Sequence, residues 1–211
     1  MGVRFGAIAS PSHIGKMYKP LLERLNQIVP LNPPQQRSLC NALKVVEITK
    51  DDILLEKGQI SNQIYFVVEG IVRASCEVEG KDVTRWFSMA GDFAASYFSF
   101  VYRQPSEDRI LPITETTTLL SLSHSALNDL SKEDSIWIDL NRHLLEYYYT
   151  TLLARVLAFQ TKSTAERYRS LLTEHPDIEE KVPLGYLASY LGMSQETLSR
   201  LRAKNKAKKK R

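Results

Sequence analysis

Residues 184–201 read LGYLASYLGMSQETLSRL. Leu187, Leu191, Leu198 and Leu201 fall at helical spacing around one small residue, Ala188, and one glycine, Gly192. Two helices that cross closely need a small side chain where the backbones approach, a residue that accepts positive φ in the tight turn, and leucines to fill the core between them. This stretch supplies all three, which predicts a helix-turn-helix whose core is Leu187, Ala188, Leu191, Gly192, Leu198 and Leu201. Ser194 stands at the N-cap of the second helix. Gln195, Glu196, Thr197, Ser199 and Arg200 are then polar groups near its leading end, free to enter a DNA groove. An ordinary helical hairpin would share this core, and the flanking charge separates the two.

The chain holds 28 Lys and Arg against 24 Asp and Glu; eight of the basic residues and none of the acids lie between Arg200 and Arg211, which leaves residues 1–199 at net −4. The basic character therefore belongs to the last dozen residues. A local positive field beside a helix-turn-helix suits phosphate binding, because counterion release supplies most sequence-independent affinity. Ser194, Thr197, Ser199, Arg202, Lys204, Lys206 and Lys208 are expected on the DNA backbone. Arg200 has the planar donor fork that matches guanine, and Glu196, four residues earlier on the same face, can accept from cytosine N4.

At 211 residues and 43% hydrophobic content the chain can bury a real core, as one large domain or a medium one with a small one. No run approaches the roughly 18 apolar residues of a membrane span. The opening MGVRFGAIASPSHIGK has too short an apolar stretch for a secretory signal and lacks the Ser or Thr of a myristoylation site, so the cytoplasm is the expected location. Residues 1–16 show no strong periodicity and are expected to be a mobile leader or an extension upstream of a start at Met17. The two cysteines, Cys40 and Cys76, form no C-x-x-C pair, which excludes a disulfide framework and a four-cysteine cluster; both are expected to be buried small hydrophobes.

Along the chain, Leu21, Leu22, Leu25 and Ile28 mark a short amphipathic helix over Met17–Val29, and Asn32 before Pro33 caps a second that runs to about Leu43. The period then changes. KVVEITK, DILLEKG, QIYFVVEG, IVRASCEVEG, DVTRWFSMAGD, DRILPITE and TLLSLS are β-branched and aromatic runs at roughly ten-residue intervals, the pattern of an antiparallel sandwich or barrel. Glu69-Gly70 and Glu79-Gly80 are expected as hairpin turns, and His124–Leu130 as a short closing helix. Between about Ser131 and Phe159 one apolar seam runs Leu140, Leu144, Tyr147, Thr151, Ala154, Ala158 and a second runs Leu145, Tyr149, Leu152, Val156, Phe159. Two seams on one long helix suggest that one side packs on the β domain and the other on a partner helix. STAE at 163–166 has capping-box spacing and starts a further helix.

This order resembles the Crp/Fnr superfamily of bacterial transcription regulators, most strongly in EKGQISNQIYFVVEGIVR, in MAGDF and in LASYLGMSQETLSRLR. The resemblance implies an α+β chain: an N-terminal antiparallel β-roll (jelly roll) sensor over 17–131, a dimerisation helix over 132–160 with Leu140, Leu144, Tyr147, Thr151, Ala154 and Ala158 on its seam, and a DNA-binding helix-turn-helix over 161–211. It further implies base reading by Gln195, Glu196 and Arg200 and a homodimer on palindromic sites, with RNA polymerase as a further partner if the protein activates. The effector pocket would comprise Ser96, Tyr97, Arg103, Ser106, Glu107 and Arg109. Here the chain departs from members that bind cyclic AMP. Ser96 stands where the ribose-binding glutamate is expected, and Ser106 and Glu107 where an Arg-Ser pair holds the cyclic phosphate. A carboxylate at a phosphate site is repulsive, so the effector is expected not to be cyclic AMP, unless Arg103 or Arg109 substitutes. Too few cysteines exist for an iron-sulfur cluster, the haem-ligand candidates Cys76, His13, His124 and His143 are isolated, and no cofactor is expected.

A β-roll of this kind could also be a cupin-like metalloenzyme, but the strand segments hold no histidine to cluster as ligands, so no enzymatic activity is expected. The other alternative is a ligand-binding regulatory module acting through protein partners. The C-terminal charge disfavours it.

Overall fold

The computed structural model describes the backbone of residues 11–209 and the side chains of residues 17–205. The helix predicted from Met17 begins at Pro11 and ends at Asn26 (α1), so the expected leader is helical from residue 11, and its first ten residues lie outside the described chain. α2 (Pro33–Ala42) starts as the sequence predicts: Asn32 Oδ1 accepts the Gln35 amide while the Gln35 side chain accepts the Asn32 amide.

Seven strands follow: β1 (Lys44–Thr49), β2 (Gln63–Glu69), β3 (Ile71–Val78), β4 (Lys81–Met89), β5 (Phe93–Ala94), β6 (Arg109–Pro112) and β7 (Thr116–Ser123). They form a four-stranded sheet in the order β1-β7-β2-β5 and a three-stranded sheet in the order β4-β3-β6, a jelly-roll-like arrangement. Register in the first sheet sets Val46 and Val67 opposite Leu119, all three essentially inaccessible. Period-two alternation turns their neighbours Val45, Phe66 and Leu120 to the other face, where they pack with Leu21, Leu25, Leu39, Leu130, Trp137 and Leu140 from the helices.

Two strand-level expectations change. Glu69-Gly70 is a corner between sheets, because β2 and β3 belong to different sheets. Gly70 is at φ 92°, and a Cβ there would lie 2.6 Å from Thr117 Oγ1. DILLEKG is a chain segment with one isolated bridge, Leu55 to Ile110, because both Leu54 and Leu55 amides turn to the single Ile110 carbonyl. Glu79-Gly80, at φ 51° and 73°, is the hairpin turn expected between β3 and β4. Cys40 and Cys76 are half-buried rather than buried.

α3 (Tyr97–Tyr102), α4 (His124–Glu133), α5 (Ile136–Thr161), α6 (Thr164–Glu174), α7 (Ile178–Lys181), α8 (Leu184–Leu191) and α9 (Gln195–Lys209) complete the described chain. It divides into two compact units, one of residues 1–76 and 87–147, the other of residues 77–86 and 148–211, so α5 contributes to both. In the second unit Tyr168, Leu171, Ile178, Val182, Leu187, Ala188, Leu191 and Leu198 form the buried centre.

Candidate functional site

Two helices, α8 and α9, follow one another across the short turn at 192–194. Gly192 ends α8 at φ 66°, its amide and that of Met193 turning back to carbonyls of the last turn. The turn is packed as well as bent: a Cβ on Gly192 would meet Phe159 Cε1 at 2.7 Å. Arg167 lies over the Phe159 ring at 4.5 Å and donates from Nε and Nη2 to the Leu191 carbonyl at 3.3 and 3.0 Å, satisfying an oxygen the helix end leaves open. Leu187, Ala188, Leu191 and Leu198 are buried and Leu201 half-buried.

Ser194 Oγ accepts the Thr197 amide at 3.2 Å and donates to Thr197 Oγ1, which in turn receives Arg200 Nη2 at 3.4 Å. The Ser194 hydroxyl, aided by Arg200, holds the Glu196 carboxyl below its ordinary range. Gln195, Glu196, Ser199, Arg200 and Lys204 are exposed, and their spacing of four and one places them on one outward face. Arg202 belongs to the other face. Its Nε pairs with Glu179 Oε1 at 2.8 Å, the two side chains 28% and 18% exposed, and Tyr168 Oη donates to the same carboxylate oxygen at 2.6 Å. Burial and then that carboxylate push the Tyr168 hydroxyl up. Arg202 is thus a strut between α9 and α7, a role for which spacing gave no signal. Lys206 and Lys208 lie on the backbone of α9, but their side chains are outside the described residues.

The expected effector residues are brought together only in part. Ser106 Oγ donates to Ser96 Oγ at 2.8 Å and accepts the Asp108 amide at 3.0 Å; both serines are buried. Arg103, in the left-handed region at φ 56°, donates to the Ser61 and Phe100 carbonyls at 2.7 and 3.2 Å and to Asn62 Oδ1. Arg109 pairs with Glu56 at 3.1 Å and Glu107 approaches Lys57 at 3.9 Å, both at the surface. Tyr97 Oη reaches Asn141 Oδ1 of α5 at 3.2 Å. A cavity of about 140 Å³ lies nearby, lined by Leu55, Gln59, Ser61, Asn62, Tyr65 and Ile110 among others. Ligand pockets for drug-sized molecules begin near about 300 Å³. Both arginines are engaged by groups of the protein itself. Among the described residues no cluster of His, Cys, Asp and Glu is arranged to hold a metal, and no helix is long and apolar enough to cross a membrane.

On α5, Leu140 is buried in the chain's own core and Leu144 packs against it, so the first two residues of the seam expected to face a partner are spent internally. Beyond it the helix is exposed: Leu145, Tyr149, Leu152, Val156 and Phe159, the second seam, are 40–66% accessible.

A jelly-roll-like domain is followed by a long helix and a helical C-terminal unit. Residues 45–134 match the family model of the cyclic nucleotide-binding domain. Solved structures of Crp/Fnr regulators share the arrangement. FixK2 from Bradyrhizobium japonicum aligns at TM-score 0.65 and 19% identity over 79% of this chain and 85% of its own. A putative Crp/Fnr regulator from Eubacterium rectale aligns at TM-score 0.64 and 18% identity, covering 84% of this chain and 85% of that one. The regulatory domain of Toxoplasma gondii PKA, crystallised with cAMP, aligns at TM-score 0.50 and 15% identity over 58% of this chain, which spans just under half of that protein, 46%. No curated protein matches the sequence.

Proposed function

We propose that the protein is a cytoplasmic, homodimeric, sequence-specific DNA-binding transcription regulator of Crp/Fnr type that is not an enzyme and whose effector is other than cyclic AMP. The outward face of α9 carries this reading: Gln195, Glu196, Ser199 and Arg200 project from a helix seated on α8 through Leu198, which is fully buried. Arg200 and Glu196, with Gln195, read base edges in the major groove. Ser194, Thr197, Ser199 and Lys204 contact phosphates near the helix N-terminus and along its flank, with Lys206 and Lys208 beyond them. Arg202 is withdrawn from that set because Glu179 holds it. The β-roll senses, and the commitment of Arg103 to Ser61 and Asn62 and of Arg109 to Glu56 supports an effector other than cyclic AMP or cyclic GMP.

Selection of bound sequences from random duplex DNA tests the reading. A palindromic consensus with half-sites about one helical turn apart is expected. Arg200→Ala then costs about 1–3 kcal/mol on that site and relaxes preference at one position of each half-site. Recovery of no consensus, with the protein instead holding a protein partner, would favour the regulatory module that acts without DNA.

A further inference from the structure

Residues 77–86, the tip of the β3–β4 hairpin, group by contact with the C-terminal helices rather than with the strands they continue. Two sets of contacts hold them there. The amide of Thr84, a residue 1% exposed, donates to Ser189 Oγ of α8 at 2.9 Å. Arg155 of α5 bridges the same elements: Nη1 donates to the Arg85 carbonyl, Nη2 donates to the Tyr190 carbonyl at 3.3 Å, and the guanidinium lies 4.2 Å over the Tyr190 ring. Burial works against the Arg155 charge, so its hydrogen bonds are made in a site where losing one is costly. The planar fork also fixes where both carbonyls must lie, which a flexible ammonium could not do. None of these bonds touches α9, yet α8 carries α9 on Leu187, Ala188 and Leu191, so the setting of α8 is the setting of the base-reading face.

We propose that Arg155 is a positioning residue for DNA recognition: it locks the tip of the β3–β4 hairpin to α8 and so fixes the helix pair that presents Arg200. The proposal rests on the reading of α8–α9 as the DNA-binding element. Strands β3 and β4 run without a break from the three-stranded sheet into this tip.

The test compares the full chain with Arg155→Lys, Arg155→Ala and Ser189→Ala on the selected duplex and on an unrelated one, and follows hydrogen exchange at the Thr84 amide. Arg155→Lys keeps the charge and the aliphatic stem but cannot span two carbonyls, so it decides the matter if Arg155→Ala fails to fold. Both Arg155 variants are expected to lower affinity for the selected duplex about tenfold, as loss of one charge-assisted hydrogen bond implies, while the unrelated duplex is bound as before. Exchange at Thr84 accelerates in all three variants. A merely structural role would weaken both duplexes alike, and that result overturns the proposal, as does unchanged discrimination or unchanged exchange at Thr84 in the Arg155 variants. If Arg200→Ala loses discrimination and the Arg155 variants keep it, the positioning role alone falls; if the parent protein selects no sequence, the DNA-binding reading falls with it.

Discussion

Arg200 and Arg202 stand two residues apart on α9, and their surroundings give them different work. Arg200 is exposed, touching the Thr197 hydroxyl beside the Glu196 carboxylate, whereas Arg202 is folded into a pair with Glu179 that Tyr168 completes. Replacing Arg202 by Ala leaves the half-buried Glu179 carboxylate with the Tyr168 hydroxyl but without its cation, and should cost about 1–3 kcal/mol of stability. The slope of log affinity against log salt should stay as in the parent, since no phosphate contact is lost. A flattened slope with unchanged stability in denaturant titration would return Arg202 to the DNA backbone. Gly192 is a second decisive position. An alanine there meets both the φ penalty of 66° and the Phe159 ring, while alanine at Gly80, φ 73° with nothing within 4 Å, meets the φ penalty alone. Each is expected to lose about 1–3 kcal/mol from backbone strain. The loss at Gly192 should be the larger, and equal melting temperatures would show that Phe159 yields freely.

The long helix α5 divides its two faces along its length as well as around its circumference. Near its start Trp137 and Leu140 are buried in the core that α1, α2 and α4 share. From Leu145 onward, Tyr149, Leu152, Val156 and neighbours form an exposed apolar stripe of the kind that a monomer rarely leaves uncovered. A second copy of α5 along the second seam covers it in our reading. Leu145→Glu with Leu152→Glu should yield a folded monomer by light scattering, because each side chain is already 40–58% exposed and only the interface would bury the new charges. Leu144→Glu should unfold the first unit instead, since Leu144 packs against its core. A double variant that remains a dimer would remove α5 from the interface.

Across the whole chain, a domain that matches the cyclic nucleotide-binding family carries arginines already engaged elsewhere. A ligand that binds only the folded state must raise its melting temperature by linkage. Cyclic AMP and cyclic GMP at sub-millimolar concentration should leave the melting temperature unchanged. A clear rise would mean that Arg103 releases Ser61 and Asn62, or Arg109 releases Glu56, to meet the phosphate.

Local rules were legible in the sequence wherever a residue acts on its own neighbours. The N-cap at Asn32, the capping box at Ser163, the two-residue turn at Glu79-Gly80 and the positive φ of Gly192 each depend on a few consecutive residues, and all stand as the spacing predicts. The leucine pattern of 184–201 likewise fixed which face of α9 turns outward. Pairings between distant segments were not legible, because periodicity reports which face is apolar and not what covers it. The two seams of α5 are alike in sequence, and only packing shows that Leu140 and Leu144 are spent on the chain's own core. Glu69-Gly70 has the composition of a hairpin, and only sheet topology makes it a corner. Arg202, Arg103 and Arg155 are indistinguishable as charges along the chain. Tertiary structure separated them by placing carbonyls and a carboxylate within hydrogen-bonding reach of each, and a guanidinium so engaged is no longer free to meet a ligand.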